Sequence, residues 1–470
     1  MYEDIKNTLK KHRQSHLLAF WGQLDTAQKQ HLLSQISQLD LAKIDSWVAD
    51  YVKKPASEAI SSDILPAAYY SLEPSDNEQR HKYTEAVKLG RDLIRQGKVA
   101  AFVVAGGQGT RLGFDGPKGD FPISPVNKIT LFQISAEYIA AASKKYNTVC
   151  PWYIMTSPLN RAGTEEIFRS NNYYGLDQKN VFLFQQGTMP NFSPDGKILL
   201  ADKANLSCSP DGHGGSLKAL YKSGAIEDMK RRGVEFISYF QVDNPLINIF
   251  DPLFIGLHAL DKAEMSSRAV IKTGPFEKVG NFCLVDGRLT IIEYSDLPDE
   301  LAEKRNPDGS LTIKLGSIAI HIINRAFAER LNDHGFSLPL HKALKKIPHI
   351  NERGEPLEPS EPNGVKLESF VFDAVPLASK SIILETFRTE EFAPTKNTTG
   401  VDSVETTRKM MVARAASWLE SAGLTVPKKP DGSIDCVIEI APGFALCKED
   451  IEERLNQIPQ INPGDKIYLT

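Results

Sequence analysis

Between residues 105 and 122 the chain reads AGGQGTRLGFDGPKGDFP, closely spaced glycines followed by an arginine and a lysine. Gly106, Gly107 and Gly109 carry no Cβ to hold a ligand off the backbone, so successive N–H groups can close around phosphate oxygens. Arg111 and Lys118 add two cations to the same loop. The planar fork of Arg111 can take two oxygens at once and stays charged at any relevant pH, while Lys118 offers a more compact charge. A Walker A loop requires Gly-Lys-Ser or Gly-Lys-Thr, which this segment lacks. The dinucleotide fingerprint GxGxxG is not met either, because Gly107 and Gly109 are followed by Arg111, Leu112 and Gly113. A carboxylate, Asp243, directly follows the apolar run VEFISYFQV at 234–242. One carboxylate is enough to hold magnesium, and with Asn244 and Pro245 the same residue also reads as a simple turn.

These side chains need a scaffold, and the hydrophobic pattern describes one. VAAFVVA at 99–105 is a short apolar run that suits a strand covered on both faces. Similar runs recur at 152–156, 181–184, 234–242 and 269–273, alternating with helix-like segments near 130–146, 160–170, 215–231 and 252–261. That alternation predicts an α/β fold with an open, mixed but mostly parallel sheet covered by helices. The glycine loop and Asp243 then fall at the carboxyl edge of the sheet, where such folds bind ligands. Beyond residue 275 the pattern predicts a hairpin over 282–292 turning at Asp286-Gly287, strands at 311–323, 366–373 and 380–387, and a helix over 402–422. Residues 1–90 read as a helical leader, with Leu17, Leu18, Trp21, Leu32, Leu33, Ile36, Ile44, Trp47, Val48 and Tyr51 at helical spacings. Pro74 and Asp76 then predict a loop and a cap before a further helix near 85–96.

Composition sets outer limits. A chain of 470 residues implies two or three domains. With 55 Lys plus Arg against 59 Asp plus Glu, there is no basic excess to hold a nucleic-acid backbone, so any phosphate site must be local. The five cysteines, Cys150, Cys208, Cys283, Cys436 and Cys447, include no pair at two-residue spacing, which argues against a zinc site or a disulfide framework and fits a reducing cytoplasm. The charged start and the lack of any apolar run of about 18 residues predict neither secretion nor a membrane span.

The ordered motifs AGGQGTRLG, PKGDFP, FQQGTMP, SPDGHGGSLKAL, FQVDNPL, KVGNFCLVDGRL, IIEYSDL, FVFDAV and EEFAPTKN together resemble the eukaryotic-type UDP-sugar pyrophosphorylases, most of all the UDP-N-acetylglucosamine enzymes. The resemblance runs from about residue 90 to 410. It implies a Rossmann-like, GT-A-like nucleotidyltransferase domain over 91–388, behind a helical region 1–90 and before a small α+β region 389–470. The implied reaction joins UTP and a hexose 1-phosphate to give a UDP-sugar and pyrophosphate, with Mg²⁺ as cofactor. Ala105, Gly106, Gly107, Gly109 and Thr110 would line the nucleotide, Gln186 and Gly212 the uracil. Arg111, Lys118 and Lys396 would hold phosphates, and Asp243 the metal. Gly280, Glu293, Ser317, Phe370 and Phe372 fall at the family's sugar positions, the two aromatics as an apolar wall.

The match departs where the sugar is expected. His213, Ser317 and Ile320 stand where the N-acetylglucosamine enzymes that this chain resembles carry asparagines. A histidine in that glycine-rich segment is similar to UDP-glucose pyrophosphorylases, and Ser and Ile offer fewer polar groups than Asn. N-acetylglucosamine 1-phosphate is the first choice of acceptor, and glucose 1-phosphate, or a broader range of sugar 1-phosphates, the alternative. A non-catalytic nucleotide-sugar binder is a reading of a different class, which loss of Arg111, Lys118, Asp243 or Lys396 would favour; all four are present. His321 reads as a hydrogen-bonded core residue.

Overall fold

Each apolar run between 99 and 271 is a strand, and each intervening segment contains a helix, in a computed structural model that describes residues 2–54, 63–333, 335–336 and 338–470. The helices used below are α1 (Tyr2–Lys11), α2 (Thr26–Ser37), α3 (Leu41–Trp47), α4 (Asn77–Arg95), α5 (Leu131–Tyr146), α6 (Arg161–Ser170), α7 (Gly215–Lys222), α8 (Ala225–Arg231), α9 (Pro252–Leu260) and α10 (Val404–Ser421). The described residues divide into two compact units, each built from separated stretches of chain. One takes Met1–Ser61, Gln186–Ser216 and Ser337–Asp373, and the other Ser62–Gln185, Leu217–Phe336 and Ala374–Thr470.

This division differs from the three consecutive segments expected, and packing explains why. Leu9, Leu17, Leu32, Ile36, Leu41 and Ile44 share a core with Phe192, Ile198, Leu200, Leu206, Val365 and Leu367. An amphipathic helix gains most of its stability from tertiary burial, so α1–α3 join the distant segments that cover their apolar faces. Residues 55–62 of the leader lie outside the described set. The further helix expected near 85–96 is α4, which already begins at Asn77; it is capped by Asp76, whose Oδ1 accepts the Gln79 N–H at 2.8 Å, and belongs to the second unit.

In the second unit, among the described residues, ten strands make one mixed sheet. They are β1 (Ile64–Pro66), β2 (Val99–Val104), β3 (Trp152–Thr156), β4 (Val181–Gln185), β5 (Phe236–Gln241), β6 (Met265–Ile271), β7 (Gly280–Val285), β8 (Arg288–Ile292), β9 (Leu315–Asn324) and β10 (Ser381–Glu385). The order is β1-β7-β9-β5-β2-β3-β4, with β6 beside β9 and β10, and β8 beside β7. The run β5-β2-β3-β4 is parallel, with Val104 opposite both Met155 and Gln241. That register brings the segments after β2, β3 and β5 to one edge. The hairpin turns as expected, with Asp286 and Gly287 both at positive φ (49° and 76°), the pair of left-handed residues a type I′ turn needs. The strand expected over 366–373 instead ends at Glu368, and Val371–Leu377 is a 3-10 turn containing Pro376, which has no N–H to donate to a ladder.

Where α4 crosses α9, the two backbones touch. A Cβ on Gly90 would overlap the Pro252 carbonyl, and one on Gly256 would overlap the Ala86 carbonyl. On an isolated helix, Gly to Ala gains up to about 1 kcal/mol. Here the sign should reverse: Gly90→Ala and Gly256→Ala are each expected to destabilise the chain by about 1–3 kcal/mol through overpacking, read as a lower urea midpoint. A raised midpoint in either variant would mean that this crossing is looser than described.

Candidate active site

The glycine loop leaves the sheet at Ala105, which is 1% exposed and donates its N–H to Met155 O of β3 at 2.8 Å. Beneath it lies Asn160, also 1% exposed, whose amide donates to Ala105 O at 2.8 Å and to Gly107 O at 3.1 Å. Its Oδ1 accepts the Ser157 N–H at 2.8 Å, which fixes which end of the amide faces the loop. In a trans peptide the C=O of one residue and the N–H of the next point in opposite directions. Turning the Ala105 and Gly107 carbonyls toward Asn160 therefore turns the Gly106 and Gln108 N–H groups away from it, which is the arrangement an anion needs.

The loop closes on itself through Gly109 N–H to Gly116 O at 2.9 Å and Lys118 N–H to Gly107 O at 3.1 Å. Its glycines have different reasons. A Cβ on Gly109 would come within 2.7 Å of the Phe114 ring, so packing demands glycine there. A Cβ on Gly107 would meet only Lys118 Cδ at 3.8 Å, an ordinary contact, so the fold itself does not require glycine at that position. Thr110 and Arg111 are exposed on the short turn Thr110–Leu112. Among the described residues no carboxylate pairs with Arg111.

Lys118 turns back to the sheet edge and places Nζ 3.1 Å from Asp243 Oδ2, both side chains being largely buried. The two residues assigned to phosphate and metal are thus in direct contact. Asp243 O accepts the Thr395 N–H at 2.9 Å, bringing the segment that carries Lys396 to the same edge. Asn244, 6% exposed, secures it by donating to Glu391 O at 2.6 Å and accepting the Ala393 N–H at 3.1 Å. Lys396 stays nearly half exposed, with Nζ 3.6 Å from Asp402 Oδ2.

Three of the residues assigned to the sugar also meet. Gly280 of β7 pairs with Ser317 of β9, and a Cβ on Gly280 would lie 3.8 Å from Ser317 Cβ and 3.9 Å from Glu293 Oε1. A bulge between Ser267 and Ala269, with Ala319 at φ 55°, shifts the β6–β9 register beside Ser317; bulges commonly re-aim side chains near functional sites. Ile320 is 3% exposed within the apolar core, so its difference from asparagine is a matter of packing. His321 is a buried strand residue 2.9 Å from Ser267 Oγ, as its sequence context predicts.

The remaining assigned residues belong to the other unit. Gln186 is buried and donates to Asp211 Oδ1 at 3.2 Å. Gly212 has φ 84°, and a Cβ there would overlap Ser369 O, so both conformation and space require glycine. His213 Nδ1 accepts the Val371 N–H at 3.1 Å, which leaves the proton of the neutral ring on Nε2. Its ring stacks on Phe370 (centroids 5.1 Å, 20°), which also stacks on His341 (4.3 Å, 29°), with Phe372 tilted against His213 and Phe370 and edge-on to His341. Phe370 and Phe372 therefore hold two imidazoles rather than forming a plain apolar wall. Burial, with His341 nearby, pushes His213 down to about 4.

Sequence reasoning missed Asn160, Asn244 and Asp211, and also Arg408, which donates to Pro122 O and Ile123 O at 2.8 and 2.9 Å and so steadies the end of the glycine loop. Asn160, Asn244 and Arg408 act on backbone far away in sequence and Asp211 on the side chain of Gln186, and no spacing rule marks such partners.

A model of the family described as UTP–glucose-1-phosphate uridylyltransferase matches residues 51–470. A human relative, "UDP-N-acetylhexosamine pyrophosphorylase-like protein 1", is 34% identical over 96% of this chain and 94% of its own. The "UDP-N-acetylglucosamine pyrophosphorylase" of Saccharomyces cerevisiae is 36% identical over 96% of each. Among solved structures, the uridine diphosphate N-acetylglucosamine pyrophosphorylase of Trypanosoma brucei superposes with a TM-score of 0.80 over 98% of this chain and 96% of that one, at 24% identity, a likeness of fold.

The lowered His213 value has a consequence for stability. An imidazole that titrates near 4 folded and 6.5 unfolded binds fewer protons when folded, so its contribution is complete above pH 6.5 and is lost as pH falls toward 4. The expected loss over that window is up to about 3 kcal/mol. His258, fully buried between Ser266 Oγ and Asn324 Oδ1 and also pushed down to about 4, adds to it. Urea titrations at pH 7 and 4.5 should show a shallower pH dependence in His213→Asn than in the wild type; equal slopes would mean that His213 is readily protonated in place.

Proposed function

Because the chain belongs to the UTP–glucose-1-phosphate uridylyltransferase family, we propose that it transfers uridylate from UTP to N-acetylglucosamine 1-phosphate, with Mg²⁺ held at Asp243. Uridylyl transfer between UTP and a sugar 1-phosphate is the activity of this family and of this chain; the acceptor and the metal are our reading. One observation carries it: a backbone cradle pinned by Asn160 bears the exposed Arg111 and stands at the same sheet edge as Lys118, Asp243 and the Lys396 segment.

A sugar phosphate has a second pKa of about 6 and is already a nucleophile at neutral pH, so no strong base is needed. The barrier lies in bringing two polyanions together and stabilising charge at the transferring phosphorus. Arg111 and the outward N–H groups of the loop bind the triphosphate oxygens, and Lys396 clamps the acceptor phosphate. Asp243 is a carboxylate engaged by a lysine, a donor that fits a magnesium ion completed by phosphates and water. Bound there, Mg²⁺ would neutralise phosphate charge. Lys118, now paired with Asp243, supplies a further cation for the phosphates.

The acceptor rests on the N-acetylhexosamine and N-acetylglucosamine names of the relatives and on Glu293 beside Gly280, where a carboxylate can accept from sugar hydroxyls. Glucose 1-phosphate is the second reading, favoured by His213 and Ser317 standing where asparagines are expected.

Pyrophosphate release with UTP and a panel of sugar 1-phosphates decides between them. N-acetylglucosamine 1-phosphate is expected to give the highest kcat/KM, and a glucose preference would reverse the assignment. Arg111→Ala and Lys396→Ala should each lower kcat by about 100- to 1,000-fold with unfolding midpoints unchanged. Wild-type turnover in either variant would remove that residue from the phosphate site.

A further inference from the structure

Two glycines of the unit that contains Gln186 make room for a carboxylate. A Cβ on Gly187 would lie 2.5 Å from Asp211 Oδ2, and one on Gly215 would overlap Asp211 Oδ1. Asp211 itself is 6% exposed and held on both sides. Its N–H donates to Gly187 O at 3.2 Å, and its carbonyl accepts the Ser369 N–H and hydroxyl at 2.9 and 3.1 Å. From this slot Oδ1 receives Nε2 of Gln186 at 3.2 Å.

A carboxylate oxygen accepts and does not donate, so Gln186 must turn its NH₂ group, not its carbonyl, toward Asp211. The amide then offers anything else an oxygen acceptor and one N–H in a fixed order. Uracil presents an N3–H donor beside the O4 acceptor; cytosine presents the reverse, an N3 acceptor beside an N4 donor. Flipping an amide by half a turn would exchange one match for the other, so whatever locks the amide selects the base.

We propose that Asp211 sets the pyrimidine specificity of this protein, as a positioning residue that locks the Gln186 amide in the orientation that reads a uracil imide. The inference rests on the uridylyltransferase reading in one respect, that Gln186 meets the base. Ordinary loop packing does not account for a carboxylate enclosed by two glycines with an amide directed at it.

The test compares UTP and CTP binding by calorimetry, with Mg²⁺ present, for the full-length wild type, Asp211→Asn and Gly187→Ala. The wild type is expected to prefer UTP by about tenfold or more, the scale of one two-point base contact. Asp211→Asn keeps the shape but can donate as well as accept, so the Gln186 amide can turn over. CTP binding should tighten and the preference should narrow severalfold, with KM for UTP rising more than kcat falls. Gly187→Ala displaces the carboxylate while leaving Asp211 and Gln186 chemically intact, and should narrow the preference in the same way even if Asp211→Asn does not fold. Folded variants that keep the wild-type UTP to CTP ratio overturn the assignment of Asp211 alone. A wild type that binds neither nucleotide overturns the functional reading and this inference with it.

Discussion

The carbonyl oxygens of Ala105 and Gly107 share one buried amide, that of Asn160, and the rest of the glycine loop follows from that pair of hydrogen bonds. Backbone carbonyls repel phosphate as surely as N–H groups attract it, so a main-chain anion site must first dispose of its carbonyls. Asn160 does so from below, on the segment that leaves β3, while the Lys118 N–H bonds Gly107 O from the side. The register of the parallel strands makes this geometry available, because it sets the ends of β2, β3 and β5 level with one another.

Charge imposes the second constraint. A site for polyanions needs positive groups that have not already collapsed onto carboxylates. Arg111 meets this by exposure and by having no carboxylate partner among the described residues. Lys118 does not, since it is paired with Asp243. Removing one partner of a largely buried pair leaves the other uncompensated, so on our proposal a cation at Asp243 and a phosphate at Lys118 would favour each other. Lys396 stands between these cases, loosely near Asp402 and still nearly half exposed.

Much of this was legible in the sequence. Short runs bounded by turn residues gave away β2 to β5, and the Asp286-Gly287 pair located the hairpin, because strand burial and turn stereochemistry are local properties. The glycine motifs were legible only in part. Gly107 is bare for want of any contact that forbids a side chain, whereas Gly109, Gly212, Gly214 and Gly280 are filled by Phe114, Ser369, Phe370 and Ile291. A glycine that admits a ligand and a glycine that admits a neighbouring chain look the same in one dimension. The division into units was hidden for a related reason: the apolar faces of α1–α3 declare that they must be covered, but not that residues 189–206 and 350–367 cover them. Asn160 and Asn244 were invisible because their partners are backbone carbonyls and N–H groups, which are not particular to any residue type.

The claim at the centre is that triphosphate oxygens are received by the main chain of residues 106–109 with Arg111 closing over them. Crystals grown with UTP measure this directly. Phosphate density within hydrogen-bonding distance of the Gly106 and Gln108 N–H groups and of the Arg111 guanidinium is the predicted result. A triphosphate bound away from this loop, with those N–H groups facing solvent, would contradict the account.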